Sequence, residues 1–250
     1  MTYCVGMMVD RGLVLMSDTR TNSGVDNISV FRKTFHWHQP GERIVALMTA
    51  GNLATTQMTI SRLEAQMNTP DDRGNVLLTA PTMFDLATKV GRELRSTIAE
   101  RQDANGDRGQ NRFTASMILA GQIAGMAPRL FLIYPEGNFI EASAETPFFQ
   151  IGETKYGRPI IVRAHHRSMS LEDAVKLLLT SFDATLKANL SVGMPFDLMV
   201  IERDALAPSH VARFEQDDMY FNAVSSAWGA ALTNAFHSLP DYSFHRERSG

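Results

Sequence analysis

The stretch TYCVGMMVDRGLVLMSD, residues 2–18, says more about the architecture than any other part of the sequence. Its two apolar runs, Thr2 to Val9 and Leu13 to Asp18, predict two strands. The residues between them, Asp10-Arg11-Gly12, predict a tight turn in which the glycine takes the positive φ that such turns require. We therefore expect a β-hairpin at the start of the chain, with Asp18 folded back towards residue 2.

The rest of the chain alternates blocks of strands with blocks of helices. Further strands are predicted over 29–38, 43–49, 114–120, 129–134, 138–141, 148–151, 197–202 and 210–214, and helices over 53–67, 82–102, 171–188 and 219–236. The segments 19–27 and 103–112 are polar and predict loops. Strand blocks separated by helix blocks favour an α+β fold of stacked antiparallel sheets covered by helices over a doubly wound βαβ sheet.

Composition excludes several classes of protein. The 250 residues carry 24 Lys plus Arg against 27 Asp plus Glu, a net charge of −3, which creates no field for nucleic acid or an anionic membrane surface. No apolar run approaches the roughly eighteen residues of a membrane span. The single cysteine excludes an intramolecular disulfide and a CxxC zinc site, which fits a reducing cytoplasm. We predict one domain over residues 1–250, with a C-terminal helix and tail from about residue 215.

Thr2 is the first candidate for chemistry. Aminopeptidase removes an initial methionine only when the next side chain is small, as threonine is, so we predict a mature chain that begins at Thr2. A free α-amino group has a pKa of about 7.7 to 8.0 and lies a few bonds from the threonine hydroxyl. It can therefore serve as general base for that hydroxyl. The alternative is an ordinary strand start.

Asp18 and Lys33 are the second candidate, because Asp18 ends the strand that pairs with the one carrying Thr2. An ammonium beside Thr2 lowers the pKa of both the amine and the hydroxyl, and a carboxylate keeps that ammonium charged and aimed. Gly51, at a strand-to-helix junction, is the third, since its backbone amide can donate to a developing oxyanion. The alternatives are a surface salt bridge and a tight junction that needs only a small residue.

Several separate segments carry a family resemblance. They are Met1-Thr-Tyr-Cys-Val-Gly6, SDTRTNSGVDNI over 17–28, AGNLATTQ over 50–57 and FQIGETKYG over 149–157. Together they resemble proteasome β-type subunits, the self-processing N-terminal nucleophile hydrolases, and in particular their bacterial "ancestral beta subunit" branch, Anbu. The resemblance spans roughly residues 2–202.

This resemblance implies a four-layer α-β-β-α sandwich and a threonine peptidase. Thr2 Oγ would attack a carbonyl, and water would resolve the acyl-enzyme ester with the α-amine as base. Lys33 and Asp18 would be the electrostatic pair, and the Gly51 amide the oxyanion donor. The resemblance also implies a homo-oligomer, either a closed ring or an open helical assembly, that acts on peptides or unfolded proteins, and it leaves an unfoldase partner unidentified.

Two segments depart from the family pattern. Gly152-Glu153-Thr154 stands where relatives have Gly-Ser-Gly, and Asn189-Leu-Ser-Val-Gly193 is the best match to Asp-x-x-Ser-Gly. In relatives these positions orient the threonine amine, so Asn189 and Ser191 become candidate site residues. Lys33 also lies one residue nearer the threonine than in typical active subunits, an offset that a strand bulge can absorb.

Other residues and functions stay open as alternatives. Cys4 shares a strand face with the threonine and is a rival nucleophile, although a lone cysteine is more often a small core residue. No histidine has a partner at metal-ligand spacing and no phosphate-binding glycine loop is present, so we predict no metal and no cofactor. Besides a peptidase, an amidase or transferase acting on a small amide remains open, as does a catalytically silent scaffold that keeps Met1.

Overall fold

The computed structural model describes residues 2–22, 28–67, 76–104 and 111–244 of the chain. Within these ranges it contains twelve strands and six α-helices. In chain order they are β1 Tyr3–Val9, β2 Gly12–Asp18, β3 Arg20–Asn22, β4 Ile28–Val30, β5 Thr34–Gln39, β6 Arg43–Gly51, α1 Leu53–Met67, α2 Val76–Thr79, α3 Met83–Ala104, β7 Ala115–Ile123, β8 Arg129–Ile133, β9 Phe139–Glu141, β10 Phe148–Gly152, α4 Arg158–Ala164, α5 Leu171–Ala188, β11 Phe196–Glu202, β12 His210–Phe214 and α6 Met219–His237.

The strands form two five-stranded antiparallel sheets. The first has the order β10-β1-β2-β11-β12 and the second the order β5-β6-β7-β8-β9, while β3 and β4 pair as a separate two-stranded ribbon. The predicted hairpin is confirmed, with Cys4 opposite Ser17 and Val9 opposite Gly12. Since β1 and β2 lie at the centre of the first sheet, the start of the chain becomes one of its most enclosed parts.

Strand β1 is buried on both faces, and its side chains divide with period two. Tyr3, Val5 and Met7 face the helices that cover the first sheet. Cys4 and Met8 face the second sheet. This double burial explains why the strand reads as a continuous apolar run instead of an alternating one.

Three apolar clusters hold the layers together. One lies between α4, α5 and α6 and the first sheet, a second lies between the two sheets, and a third lies between the second sheet and helices α1, α2 and α3. The chain is therefore a four-layer α-β-β-α sandwich, and the predicted fold class is confirmed.

Three local predictions are wrong. The segment 19–27, expected to be a loop, contains β3, which pairs with β4; residues 23–27 lie outside the described residues. Helices α2 and α4 were not predicted, because four and seven residues are too few to establish an apolar helical period. The signal available for α4 is Pro159 in its first turn, a position that proline favours.

The C-terminal helix α6 forms where the sequence predicts it, and Asp218 caps it by accepting from the Phe221 N–H at 2.7 Å. The tail that follows is described as far as residue 244. Among the described residues, no helix is long and apolar enough to cross a membrane.

Candidate active site

Thr2 lies immediately before β1 and is almost fully enclosed, with 8% of its surface exposed. Its carbonyl oxygen accepts a hydrogen bond of 2.7 Å from the Glu153 N–H, just beyond the end of β10. Gly152 has φ +86°, and a Cβ at that position would overlap the Thr2 carbonyl. A glycine is therefore needed there for the backbone to approach Thr2 this closely.

Asp18 and Lys33 form a buried ion pair next to Thr2. Lys33 Nζ lies 2.7 Å from Asp18 Oδ1, and the two side chains are 5% and 0% exposed. The same oxygen accepts the Tyr3 N–H at 2.9 Å, and Oδ2 accepts the Gly193 N–H at 3.4 Å. The carboxylate is thus tied directly to the peptide unit that follows Thr2, as the hairpin predicts.

The position of Lys33 depends on a break between β4 and β5. Residues 31–33 leave the ladder there, while the Phe31 N–H donates to the Thr19 carbonyl and the Thr49 N–H donates to the Lys33 carbonyl, each at 2.9 Å. The Lys33 ammonium also donates to the Arg20 carbonyl at 2.6 Å. The strand predicted over 29–38 is therefore two strands, β4 and β5, and Lys33 reaches Asp18 from the irregular segment between them.

Burial raises the pKa of Asp18, whereas the charge of Lys33 and its hydrogen bond, together with the N–H groups of Tyr3 and Gly193, oppose that rise. A carboxylate in such a place requires its ammonium partner, because an unpaired buried charge is strongly unfavourable. Two of the three Lys33 N–H donors serve Asp18 and the Arg20 carbonyl. The arrangement holds one positive charge at a fixed point of the site.

Gly51 ends β6 opposite Ala115 and has φ +114°. A Cβ at this position would overlap the Thr114 carbonyl, so the junction admits only glycine without strain. The next residue, Asn52, caps α1 by accepting from the Thr55 N–H at 3.0 Å. The predicted strand-to-helix junction is therefore confirmed, and its geometry alone explains the glycine.

Asn189 and Ser191 follow α5, and Asn189 is the residue that ends that helix. The Asn189 side chain donates to Glu153 Oε2 at 3.1 Å and accepts from the Ser191 N–H at 2.9 Å. Glu153 is 9% exposed, and its other oxygen accepts the Lys155 N–H at 3.3 Å. Both segments that depart from the family pattern thus contact each other.

These contacts form a closed path around Thr2. It runs from Thr2 through Glu153 and Asn189 along the loop to Gly193, then to Asp18, and returns through the Tyr3 N–H. Of the sequence-predicted site residues, the path includes Thr2, Asp18, Asn189 and Ser191, and Lys33 joins it at Asp18. Gly51 is not on the path; it ends β6 in the facing sheet. The Gly193 amide and the Arg20 carbonyl were not predicted, since backbone groups leave no residue-type signal.

The Cys4 thiol donates its one described hydrogen bond to the Thr49 carbonyl at 3.7 Å, and the residue is fully buried. Burial raises the pKa of its thiol well above the usual value. Because the thiolate is the reactive form, this environment argues for the core role of the cysteine and against a nucleophile. Among the described residues, no group of three or more His, Cys, Asp or Glu side chains is placed to hold a metal ion.

The four-layer α-β-β-α sandwich is the fold of the N-terminal nucleophile class, and comparison with known proteins gives the family. Residues 2–201 match the proteasome subunit family. A proteasome subunit beta from Methanopyrus kandleri is 23% identical over 206 residues, which cover 81% of this chain and 88% of that protein.

Solved structures of two other proteins are similar to this chain over nearly its whole length. Anbu from Hyphomicrobium sp. strain MC1 is 47% identical with a TM-score of 0.86 and covers 96% of this chain and 99% of its own. The helical assembly of the Anbu complex from Pseudomonas aeruginosa is 42% identical with a TM-score of 0.90, covering 97% and 98%. The chain therefore belongs to the proteasome subunit family, and within it resembles the Anbu, or ancestral beta-subunit, branch.

Proposed function

We propose that the chain is a cytoplasmic threonine peptidase of the proteasome type, with Thr2 as its nucleophile. The observation that carries this proposal is the buried Lys33–Asp18 pair, which is hydrogen-bonded to the first peptide unit after Thr2. Such a pair places a fixed positive charge beside a residue that becomes a free amino terminus once Met1 is removed. Met1 lies outside the described residues, so its removal is part of the proposal.

The reaction begins when the Thr2 α-amine takes the hydroxyl proton, directly or through one water, while Oγ attacks the peptide carbonyl carbon. The resulting oxyanion accepts a hydrogen bond from the Gly51 N–H. The ammonium returns its proton to the leaving amine as the C–N bond breaks, which leaves an ester on Oγ. Water then attacks the ester carbonyl carbon and gives a proton to the α-amine. The bond between that carbon and Oγ breaks, the ammonium returns the proton to Oγ, and the acid leaves free Thr2.

Lys33 lowers the energy of the developing alkoxide because its ammonium group is buried, where solvent screens charge less. Asp18 holds the Lys33 side chain in place through their contact of 2.7 Å. In this scheme Asn189 and Ser191 are positioning residues, since they connect to Thr2 through Glu153 and not by direct contact.

Cleavage of a peptide library by the assembled protein tests the choice of substrate. We expect the wild type to release new peptide ends and the Thr2→Ala variant to release none, because the nucleophilic hydroxyl is lost. Hydrolysis confined to small amides would favour the amidase alternative. An intact mass that retains Met1, together with no cleavage of either substrate type, would favour a silent scaffold.

We also propose that the chain acts as a homo-oligomer, in which helix α6 contacts a second copy. From Met219 to Phe236 this helix carries no charged side chain, yet much of its surface is exposed. Its exposed apolar side chains include Tyr220 at 53%, Leu232 at 51% and Phe236 at 69%. A patch of this kind is typical of an interface, and a relative forms a helical assembly.

The double variant Leu232→Glu/Phe236→Glu tests this contact. We expect it to reduce the mass measured by light scattering after size-exclusion chromatography, because association would bury two carboxylates without partners. Ile140→Glu, at an exposed apolar position on β9, is the matched control and should keep the wild-type mass. An unchanged mass for the double variant would remove α6 from the interface.

A further inference from the structure

Glu153 is a buried carboxylate without a cation. It is 9% exposed, and its oxygens accept from the Asn189 amide at 3.1 Å and the Lys155 N–H at 3.3 Å. Both donors are neutral, and among the described residues no Lys or Arg side chain forms an ion pair with it. An enclosed charge in this situation is unfavourable unless an opposite charge is supplied.

The amino terminus of the mature chain can supply this positive charge. The Glu153 N–H donates to the Thr2 carbonyl at 2.7 Å, and Gly152 brings the end of β10 against Thr2. The other carboxylate of the site, Asp18, already has Lys33. Glu153 has no such partner in the described part of the chain, and removal of Met1 would add one α-ammonium group to the residue whose carbonyl accepts from its N–H.

We propose that Glu153 is the anionic partner of the α-ammonium group of mature Thr2 and that it sets the pH at which this amine becomes available as a base. This inference deepens the proposed function and rests on it. Glu153 is a positioning residue here: it holds the amine on the β10 side of the site, while Asp18 and Lys33 occupy the other side.

The charged groups around the amine come from each element that packs against Thr2. Asp18 on β2, Lys33 before β5 and Arg20 on β3 lie on one side, and Glu153 lies on the other with Lys155 beyond it. The loop 189–193 contributes no charged side chain. Asp18 and Lys33 offset each other and the Arg20 charge disfavours the ammonium form, so Glu153 is the group whose charge favours it.

The test measures the titration of the Thr2 α-amine by trace acetylation across a pH series, read by mass spectrometry of the N-terminal peptide of the folded, assembled protein. We expect Glu153→Gln to move this titration at least about one pH unit lower, because an opposite charge within about 4–6 Å favours the charged form. Glu153→Asp should restore most of the wild-type value. Glu42→Gln, the same change in an exposed turn, should leave the titration where it is.

A second measurement separates this inference from the proposed function. The pH–rate profile for acylation of Thr2 by a β-lactone should have its acid limb at lower pH in Glu153→Gln than in wild type. Equal titrations in wild type and Glu153→Gln would overturn the role of Glu153, whether or not acylation occurs. A shifted titration without any acylation would overturn the peptidase and leave the pairing intact. If purified protein keeps Met1, treatment with methionine aminopeptidase exposes the amine for the same titration.

Discussion

Replacing Thr2 with alanine is expected to abolish covalent labelling by a β-lactone or a peptide epoxyketone. The change removes Oγ and keeps the main-chain contacts, since the Thr2 carbonyl still accepts from the Glu153 N–H and the Tyr3 N–H still donates to Asp18. Loss of labelling would therefore report the loss of the nucleophile and not of the fold. Circular dichroism and the mass of the assembly would verify that the variant remains folded.

Two further variants sharpen the result. Thr2→Ser keeps an oxygen nucleophile beside the α-amine and should still be labelled. Cys4→Ala should be labelled like the wild type, because the Cys4 thiol is buried and burial raises its pKa. Labelling that persists in Thr2→Ala, or that disappears in Cys4→Ala with the fold intact, would identify a different nucleophile.

Replacing Lys33 with alanine is expected to slow acylation more than about tenfold, or about 1.4 kcal/mol of barrier. It should also destabilise the fold by about 3–5 kcal/mol, since it leaves the Asp18 carboxylate buried without its counter-charge. Single-turnover labelling and chemical denaturation measure the two effects separately. Lys33 should therefore also stabilise the fold, a role that the sequence alone does not predict.

The loss of folding stability in Lys33→Ala should depend on pH in a definite direction. Burial raises the pKa of Asp18, and without Lys33 the rise is larger, because the opposing charge is gone. A carboxyl whose folded pKa lies above its unfolded value contributes stability at low pH and loses it as the pH rises. The deficit of Lys33→Ala relative to wild type should thus be largest at alkaline pH and shrink on acidification.

The matched control is Lys176→Ala. Lys176 and Asp173 approach each other at 2.6 Å, as closely as Lys33 and Asp18, but their side chains are 57% and 53% exposed. Because solvent screens an exposed pair, this variant should change stability little at any pH. Equal losses in both variants would mean that burial of the Lys33–Asp18 pair is not what makes it important.

The sequence predicts the layers of the fold well because its strongest signals are local. The hairpin, the strand ending near Gly51 and the serine cap of α5 each follow from residue types within a few positions. The strand β3 escapes prediction because its three residues are all polar and show no apolar alternation. Helices α2 and α4 escape because they are too short to show an apolar helical period. That residues 1–250 form one domain stays a prediction.

The candidate site likewise has residues that the sequence predicts and contacts that it does not. Thr2 and Asp18 are predictable because a tight hairpin must bring its two ends together, and Lys33 because it is the only lysine among the first 88 residues. The contact between Glu153 and Asn189 joins residues 36 positions apart and arises only from the packing of α5 against the first sheet. Sequence patterns mark both positions as unusual without revealing that they touch.

Top-down mass spectrometry of the wild-type protein after treatment with a β-lactone tests the central claim most directly. We expect a chain that begins at Thr2, lacks Met1 and carries one adduct, and we expect fragmentation to place that adduct on Thr2. A treated chain that still carries Met1 and no adduct, or an adduct located on Cys4 or any other residue, would contradict the account.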